Sequence, residues 1–394
     1  MTDKRSPHAG RNWSLNSRAT RGLIFQVIAL ALVVLGISYL ASNTQANMAA
    51  RGIPSGFDFL KVPAGFDIGE TIFIEYYPGD SYGKAILVGV VNTLKVAIIG
   101  IVLTTVLGVL VGVGRFSRNG LLRGLCYGYV ELFRNVPVLL QLLMWYIFMV
   151  EILPAPNQAW NGFDLFFLSK GGFAMPMPAS GVGWSFMFWG MLAGLVGAVL
   201  WRRRAFQKFE ATGQLGDTFW TPVALVVVLG IVGWFFGGQP SEWNIPEQFI
   251  FAVDGGYNAS PEFMSVLIGL VVYTAAFVAE VVRSGIQSVS HGQTEAASAL
   301  GLTPRQTMKL VVLPQALRVI IPPMTNQYLN LTKNSSLAVV VGYPDVVSVV
   351  NTTINITGRA VECIAIIMLV YLSTSLSTSV FMNWYNASKA IKER

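Results

Sequence analysis

The chain has 394 residues, of which 53% are hydrophobic and 12% charged, with a formal net charge of +7 and a mean hydropathy of +0.56. Soluble domains carry about 25% charged residues, so this composition excludes both disorder and a soluble multidomain enzyme. It leaves an integral membrane protein, in which excess Lys and Arg record topology and call for no nucleic-acid partner.

In chain order, a basic tail over residues 1–22 precedes an apolar run at 23–41. That run is longer than the roughly 7–15 residues of a signal-peptide core and no small-residue cleavage site follows it, so it reads as an uncleaved anchor. An acidic stretch, 42–84, carries Asp58, Asp67, Glu70, Glu75 and Asp80. Further runs, each long enough to cross about 30 Å of hydrocarbon as helix, lie at 86–113, 136–153, 184–201, 219–238, 263–283, 318–340 and 361–384, before a short tail at 386–394. The expected fold class is all-α, a polytopic membrane protein with about eight transmembrane helices. Pro137 bounds the third run, and Pro322 and Pro323 interrupt the seventh. Such breaks survive in a bilayer only where other helices or a cavity satisfy the freed backbone groups.

The charges sort by side. Twenty of the 27 basic residues, from Lys4 and Arg21 through Arg115, Arg134, Arg202, Arg283 and Arg318 to Lys389, fall in alternate loops or tails. The opposite loops hold five basic residues beside acids such as Glu242, Glu247 and Asp254, and Lys95 and Lys333 remain inside spans. By the positive-inside rule both termini are expected in the cytoplasm, with 42–84 outside.

The loop after the sixth span, residues 290–314, is dense in helix punctuation. Ser290 and Gln293 have capping-box spacing, Glu295 is expected in a first turn, and Gly301 stands as the stop of a short helix. Thr303 then caps a second helix with Pro304 at its first position, expected to be interrupted at Pro314. Ala296, Ala297 and Ala299 form a small face that lets a partner approach closely. Helix signals alone describe an ordinary amphipathic connector equally well.

The spacing Glu295-Ala296-Ala297, three residues, Gly301, nine residues, an aliphatic, one residue and Leu313-Pro314 resembles the EAA loop of membrane subunits of binding-protein-dependent ABC importers, with Val311 where Ile is usual. Segments Gly89–Lys95, Arg134–Gln141, Ala279–Ile286 and Thr332–Leu337 are similar to the polar amino-acid permease branch, which includes histidine, glutamate and general L-amino-acid permeases; the length is most like the larger of the general L-amino-acid permeases. The resemblance implies a type I importer permease fold over 85–385, a five-helix core with one N-terminal and two inserted helices. It further implies a bacterial inner-membrane location, two cytoplasmic ATPase subunits docked on Glu295, Ala296, Ala297, Gly301, Leu313 and Pro314, a second permease, more in keeping with a sister chain than an identical one, and a periplasmic amino-acid-binding protein. ATP and Mg are then expected on the ATPase, with no cofactor bound by this chain.

No GxxxxGK[ST] phosphate loop is present, and Gly79-Asp-Ser-Tyr-Gly83-Lys84 has the wrong spacing. Energy therefore comes from a partner or from an ion gradient, and a secondary transporter is the alternative class, with Lys95, Glu280, Lys333 and Glu362 as its candidate ionisable groups. Glu280 and Arg283 have the spacing of a local pair, and Lys95 and Glu362 lie near enough to span ends to reach an interface. Lys333, with Asn330 and Asn334 in one polar run, is a candidate pathway-lining residue. No zinc motif, nucleophile elbow or catalytic carboxylate pair is visible, and His291 reads as the entry of the loop helix. Gly108/Gly112, Gly190/Gly194 and Gly233/Gly237 have the small-xxx-small spacing of close helix packing.

Overall fold

The computed structural model describes residues 18–52, 55–71, 73–179, 181–213 and 216–389. Lys4, Arg5, Arg11, Lys392 and Arg394, and with them most of both tails, lie outside the described residues. The helices are α1 (Arg18–Ala50), α2 (Tyr82–Gly114), α3 (Gly120–Asn135), α4 (Val138–Ile147), α5 (Val182–Thr212), α6 (Trp220–Phe236), α7 (Pro261–Gln287), α8 (His291–Ala299), α9 (Pro304–Thr307), α10 (Leu313–Asn334), α11 (Val346–Thr357) and α12 (Ala360–Lys389). Five are long and apolar enough to span by themselves, α3 with α4 and α9–α10 with α11 form two bent pairs, and α6 is a shorter apolar helix. Counting each bent pair as one span gives seven, and the 17-residue α6 would be the eighth of the hydropathy reading.

The core is made of α2, α3–α4, α7, α10 and α12. Its central contact, α2 on α7, depends on small residues: a Cβ on Gly108 would stand 2.5 Å from Val278 Cγ1, and one on Gly112 would stand 2.8 Å from the Ala279 carbonyl. Such close approach lets dispersion act along the helices in the absence of a water-driven hydrophobic force. Towards the coupling-loop end, Val278, Val282, Ala316, Ile320 and Met324 pack together. Towards the other end, Val96, Leu142, Phe263, Leu270 and Tyr343 form a second cluster.

Several expectations are corrected. The third span is bent: α3, expected within a cytoplasmic loop, meets α4 at 105°, and α4 ends in a π turn, Phe148–Ile152. Pro137 cannot donate a backbone bond and disfavours helix at Val136, and Gln141 Nε2 satisfies the freed carbonyls of Phe133 and Val136, each at 2.9 Å. The stretch 42–84 is no free loop. Helix α1 extends to Ala50, and from Gly56 the chain folds back as a strap in which Ala64 N–H bonds Asp80 O at 2.8 Å and Tyr82 N–H bonds Val62 O at 3.0 Å. The strap buries Phe59, Ala64, Ile68 and Tyr76 against Tyr82 and Ile86 of α2, Val346 and Val350 of α11, and Cys363 of α12. The seventh run passes from α10 into a 3-10 segment, Ser335–Val341, and then into the separate helix α11.

The fold is mostly helical, but the inserts flanking α5–α6 add short strands that an all-α reading lacks. Strands β1 (Trp160–Gly162), β2 (Phe166–Ser169) and β3 (Gly172–Met175) pair antiparallel, and β8 (Tyr257–Ala259) joins β3 from beyond the hairpin, so the sheet order is β1-β2-β3-β8. β4 (Met177–Pro178) pairs with β5 (Trp243–Asn244), and β6 (Glu247–Gln248) with β7 (Val253–Asp254). These strands are two to four residues long, too short for an alternating pattern to show in the sequence.

Candidate coupling loop and translocation face

Helix α8 ends as its spacing required. Gly301 has φ +78°, Gly301 N–H bonds Ser298 O at 2.9 Å, and Leu302 N–H bonds Ala297 O at 3.1 Å, which is the paired hydrogen-bond pattern of a Schellman stop. Thr303 then makes a full capping box: its N–H reaches Gln306 Oε1 at 2.9 Å while Gln306 N–H reaches Thr303 Oγ1 at 3.4 Å. The box expected at Ser290 does not form. Ser290 makes no side-chain cap, and Gln293 instead accepts from Gln315 at 3.2 Å, tying α8 to α10. Glu295 sits one turn later than expected, in the second turn of α8.

Pro314 does not interrupt the second helix. From Pro304 the chain winds through α9, a π turn at Met308–Val312 and α10 without leaving helical geometry. The wider π turn shifts the hydrogen-bond register, and Pro314 falls in the first turn of α10 beyond it, where its missing N–H costs least. The loop is therefore the start of a rod that runs on to Asn334, and Pro322 and Pro323, expected to interrupt the seventh run, lie inside α10 without ending it.

Burial divides the named residues. Glu295, Ala296, Gly301 and Leu313 are exposed, Pro314 is half-buried, and Ala297 is buried on α8, the helix that lies beside α9 and the π turn. Ala297 therefore holds the loop together, while Glu295, Ala296, Ala299 and Leu300, the last 81% exposed, form its outer surface. His291 is the first residue of α8, as its sequence position implied.

At the far end of the same rod, about 30 Å from Leu313 at 1.5 Å per residue, Asn326, Asn330 and Lys333 are exposed and Asn334 is half-buried. Positions 326, 330 and 333 share one helix face, and this chain leaves that face uncovered. Between α2, α7, α10 and α12, at the coupling-loop end, lies a cavity of about 850 Å³ reached by Pro314, Arg318, Tyr328 and Tyr385.

The other ionisable candidates are engaged. Glu280 bonds Arg283, as expected, and also Arg115 at 2.5 Å, with Arg134 at 3.8 Å. It thus joins α7 to α2 and α3. Glu362 is buried and accepts from Gly56 N–H at 2.6 Å. Lys95 does not reach an interface: its side chain is 4% exposed and pairs with Glu70 at 2.6 Å. Glu70 also accepts from Ser260 Oγ at 2.6 Å, and its carbonyl accepts from Asn92 at 2.9 Å. In the sequence Glu70 stands only as one of the acids of 42–84, and Asn92 only as part of the Gly89–Lys95 segment, with no role for either. The only signal was the polar run Asn92-Thr93-Leu94-Lys95 inside an apolar helix.

A bundle of apolar helices, one of them prolonged into an exposed loop helix, is the architecture of a polytopic membrane protein. Residues 104–390 match the family model described as "Binding-protein-dependent transport system inner membrane component". The chain is 42% identical over 393 residues to the "General L-amino acid transport system permease protein AapQ" of Rhizobium johnstonii, covering 99% of this chain and 98% of that one. It is 44% identical over 399 residues to the "Putative amino-acid ABC transporter permease protein YhdX" of Escherichia coli, covering 100% of both chains. It is 38% identical over 433 residues to the "Glutamate/glutamine/aspartate/asparagine transport system permease protein BztB" of Rhodobacter capsulatus, covering 98% of each. The chain belongs to the family of binding-protein-dependent transport system inner membrane components, and within it is a multi-pass, non-catalytic permease subunit.

Proposed function

We propose that this permease forms, with a second permease subunit, a path for L-amino acids delivered by a periplasmic receptor, and that two separate ATPase subunits bearing ATP and Mg drive it through the loop at 290–314. The single observation that carries this reading is the uninterrupted rod from the exposed loop into α10. A push on Glu295 or Ala296 of α8 reaches the rod through the Gln315–Gln293 bond and passes along it towards the Asn326–Asn330–Lys333 face. The substrate class rests on the names of the relatives, all of which are amino-acid permeases. The charge sorting supports both termini in the cytoplasm of a bacterial inner membrane, with the strap and the strands outside. Asn330, Lys333 and Asn334 then line the path, because an uncovered Lys is costly against lipid and acceptable against water or a partner.

Replacing Gly301 with Val places a β-branched residue at φ +78°, where an L side chain costs about 1–2 kcal/mol. Gly301→Val and Glu295→Ala are expected to lower both co-purification of the ATPase and amino-acid uptake. Unchanged assembly and uptake would overturn the coupling role. Uptake by this chain alone in liposomes, driven by an ion gradient without ATP, would instead establish a secondary transporter. The ion pairs that occupy Lys95 and Glu280 speak against that class.

A further inference from the structure

The end of the core opposite the coupling loop is divided by a seam of polar bonds. On one side the strap packs with α11 and α12 in one apolar cluster. On the other, α4 and α7 pack with Tyr343 in a second cluster. Helix α2 contributes to both, and its polar run supplies the joints. Asn92 Nδ2 donates to Glu70 O at 2.9 Å and to Pro344 O at 3.0 Å, Thr93 Oγ1 accepts from Val346 N–H at 3.1 Å, and Lys95 Nζ meets the Glu70 carboxylate at 2.6 Å. The second Glu70 oxygen accepts from Ser260 Oγ, the N-cap of α7. The Lys95 ammonium also lies 3.9 Å from the Phe263 ring centroid. The strap thus reaches α7 through the charged side chain of Glu70, while an open cleft of about 500 Å³, bordered by Gly69, Glu70, Glu262 and Pro344, separates them beside it.

Apolar contacts resist sliding because every displaced atom loses neighbours, whereas a few charged bonds exchange as units. A buried ion pair is also a poor choice for stability alone, since apolar residues of similar volume hold as well or better. The larger cavity lies at the coupling-loop end, while at this end the buried Lys95–Glu70 pair joins the strap to the helices beside a smaller cleft. We infer that the Glu70–Lys95–Ser260 contact is a latch that holds the receptor side of the path closed, and that it parts each time substrate is admitted. This inference rests on the proposed receptor- and ATP-dependent transport.

The test uses the assembled transporter in proteoliposomes. A Cβ at Gly69 meets nothing within 4 Å, and native Cys126 and Cys363 are buried, so Gly69→Cys with Glu262→Cys introduces an addressable pair across the cleft. Bridging these thiols with a reducible bifunctional reagent is expected to abolish uptake and receptor-stimulated ATP hydrolysis, and reductant is expected to restore both. A bridged transporter that works at the unbridged rate overturns the latch. In a second arm, Lys95→Met is expected to raise receptor-independent hydrolysis several-fold and to speed labelling of Gly69→Cys by an impermeant maleimide. Parental values for both would make the pair a static brace, and if Lys95→Met does not assemble, the bridging arm decides alone. Uptake by the unbridged parent that needs neither receptor nor ATP would refute the transport reading itself, a result distinct from failure of the latch.

Discussion

The α2–α7 contact and the α5–α6 hairpin are both built on glycine, yet they serve the molecule differently. In the hairpin the backbones touch: a Cβ on Gly190 would stand 2.2 Å from Leu229 O, one on Gly194 2.6 Å from Val226 Cα, and one on Gly233 2.3 Å from Phe186 O. Around those contacts Phe188, Trp189, Leu195, Val228 and Phe235 all point outward and are exposed. In the core the same device brings helices together, but the space is then filled by buried Val, Leu and Ile side chains and crossed by the Arg115–Glu280–Arg283 and Glu70–Lys95 bonds. Near its loop end the hairpin's Arg203 lies 5.9 Å from the Trp384 ring of α12. The polar bonds from α5 across the hairpin, Trp201 Nε1–H to Asp217 O and Arg202 Nε–H to Thr218 O at 3.0 Å each, lie at its exposed loop end, whereas the core is crossed by charged pairs between its elements.

Breaking the core is expected to have the largest effect. Gly108→Leu drives a side chain into Val278 and the Ala275 carbonyl, overpacking worth about 3 kcal/mol, and monodisperse protein should be lost in size-exclusion chromatography. Next comes Glu280→Ala. It leaves Arg115, 4% exposed, without its carboxylate partner, a loss of about 3 kcal/mol for a broken buried pair, read as a lowered melting temperature in detergent. Gly190→Val sharpens the contrast. It should loosen the hairpin by about 2 kcal/mol, seen as faster hydrogen exchange in α5 and α6, while uptake by the assembled transporter stays near parental. An uptake loss as large as that from Gly108→Leu would place the hairpin within the transport machinery.

Smaller effects test the loop ends of the two regions. Thr303→Ala removes the capping box of the coupling rod, worth about 1 kcal/mol, and should lower coupling efficiency, measured as amino acid carried per ATP, without preventing assembly. In the hairpin, Asp217 accepts from the N–H groups of Phe219, Trp220 and Thr221, and these bonds hold its carboxyl down to about 2. Because the folded value lies below the unfolded one, the cap's contribution is complete above about pH 4 and fades as pH falls towards 2. Exchange at Trp220–Val223 should therefore be flat from neutral pH to about 4 after correction for intrinsic rates. Asp217→Asn should remove the acid-side change.

What was legible beforehand followed from local spacing. The Gly301 stop, the Thr303 box, the Glu280–Arg283 pair and the glycine faces each depend on residues within a turn or two of one another, so the chain order already contains their geometry. The misreadings at Ser290, Pro314 and Lys95 share a cause. Each side chain or backbone group had a plausible local role, and a tertiary alternative displaced it: Gln315 took Gln293, a π turn absorbed the proline, and Glu70 drew Lys95 inward. The strands at 160–178 and 243–259 are two to four residues long, too short to carry a period, and two of their pairings, β3 with β8 and β4 with β5, reach across the inserted hairpin.

The sequence by itself determined that this protein lives in a membrane, where its apolar runs lie, and where the helix of the 290–314 loop stops, because hydropathy and helix caps are additive along a chain. Only the tertiary structure decided that the stretch before α2 is a folded strap burying Phe59, Ala64, Ile68 and Tyr76, that the loop is the foot of a continuous rod, and that Glu70 closes on Lys95. Those results depend on which distant groups share a site once water is excluded, and a buried charge must then find its partner wherever the fold places one.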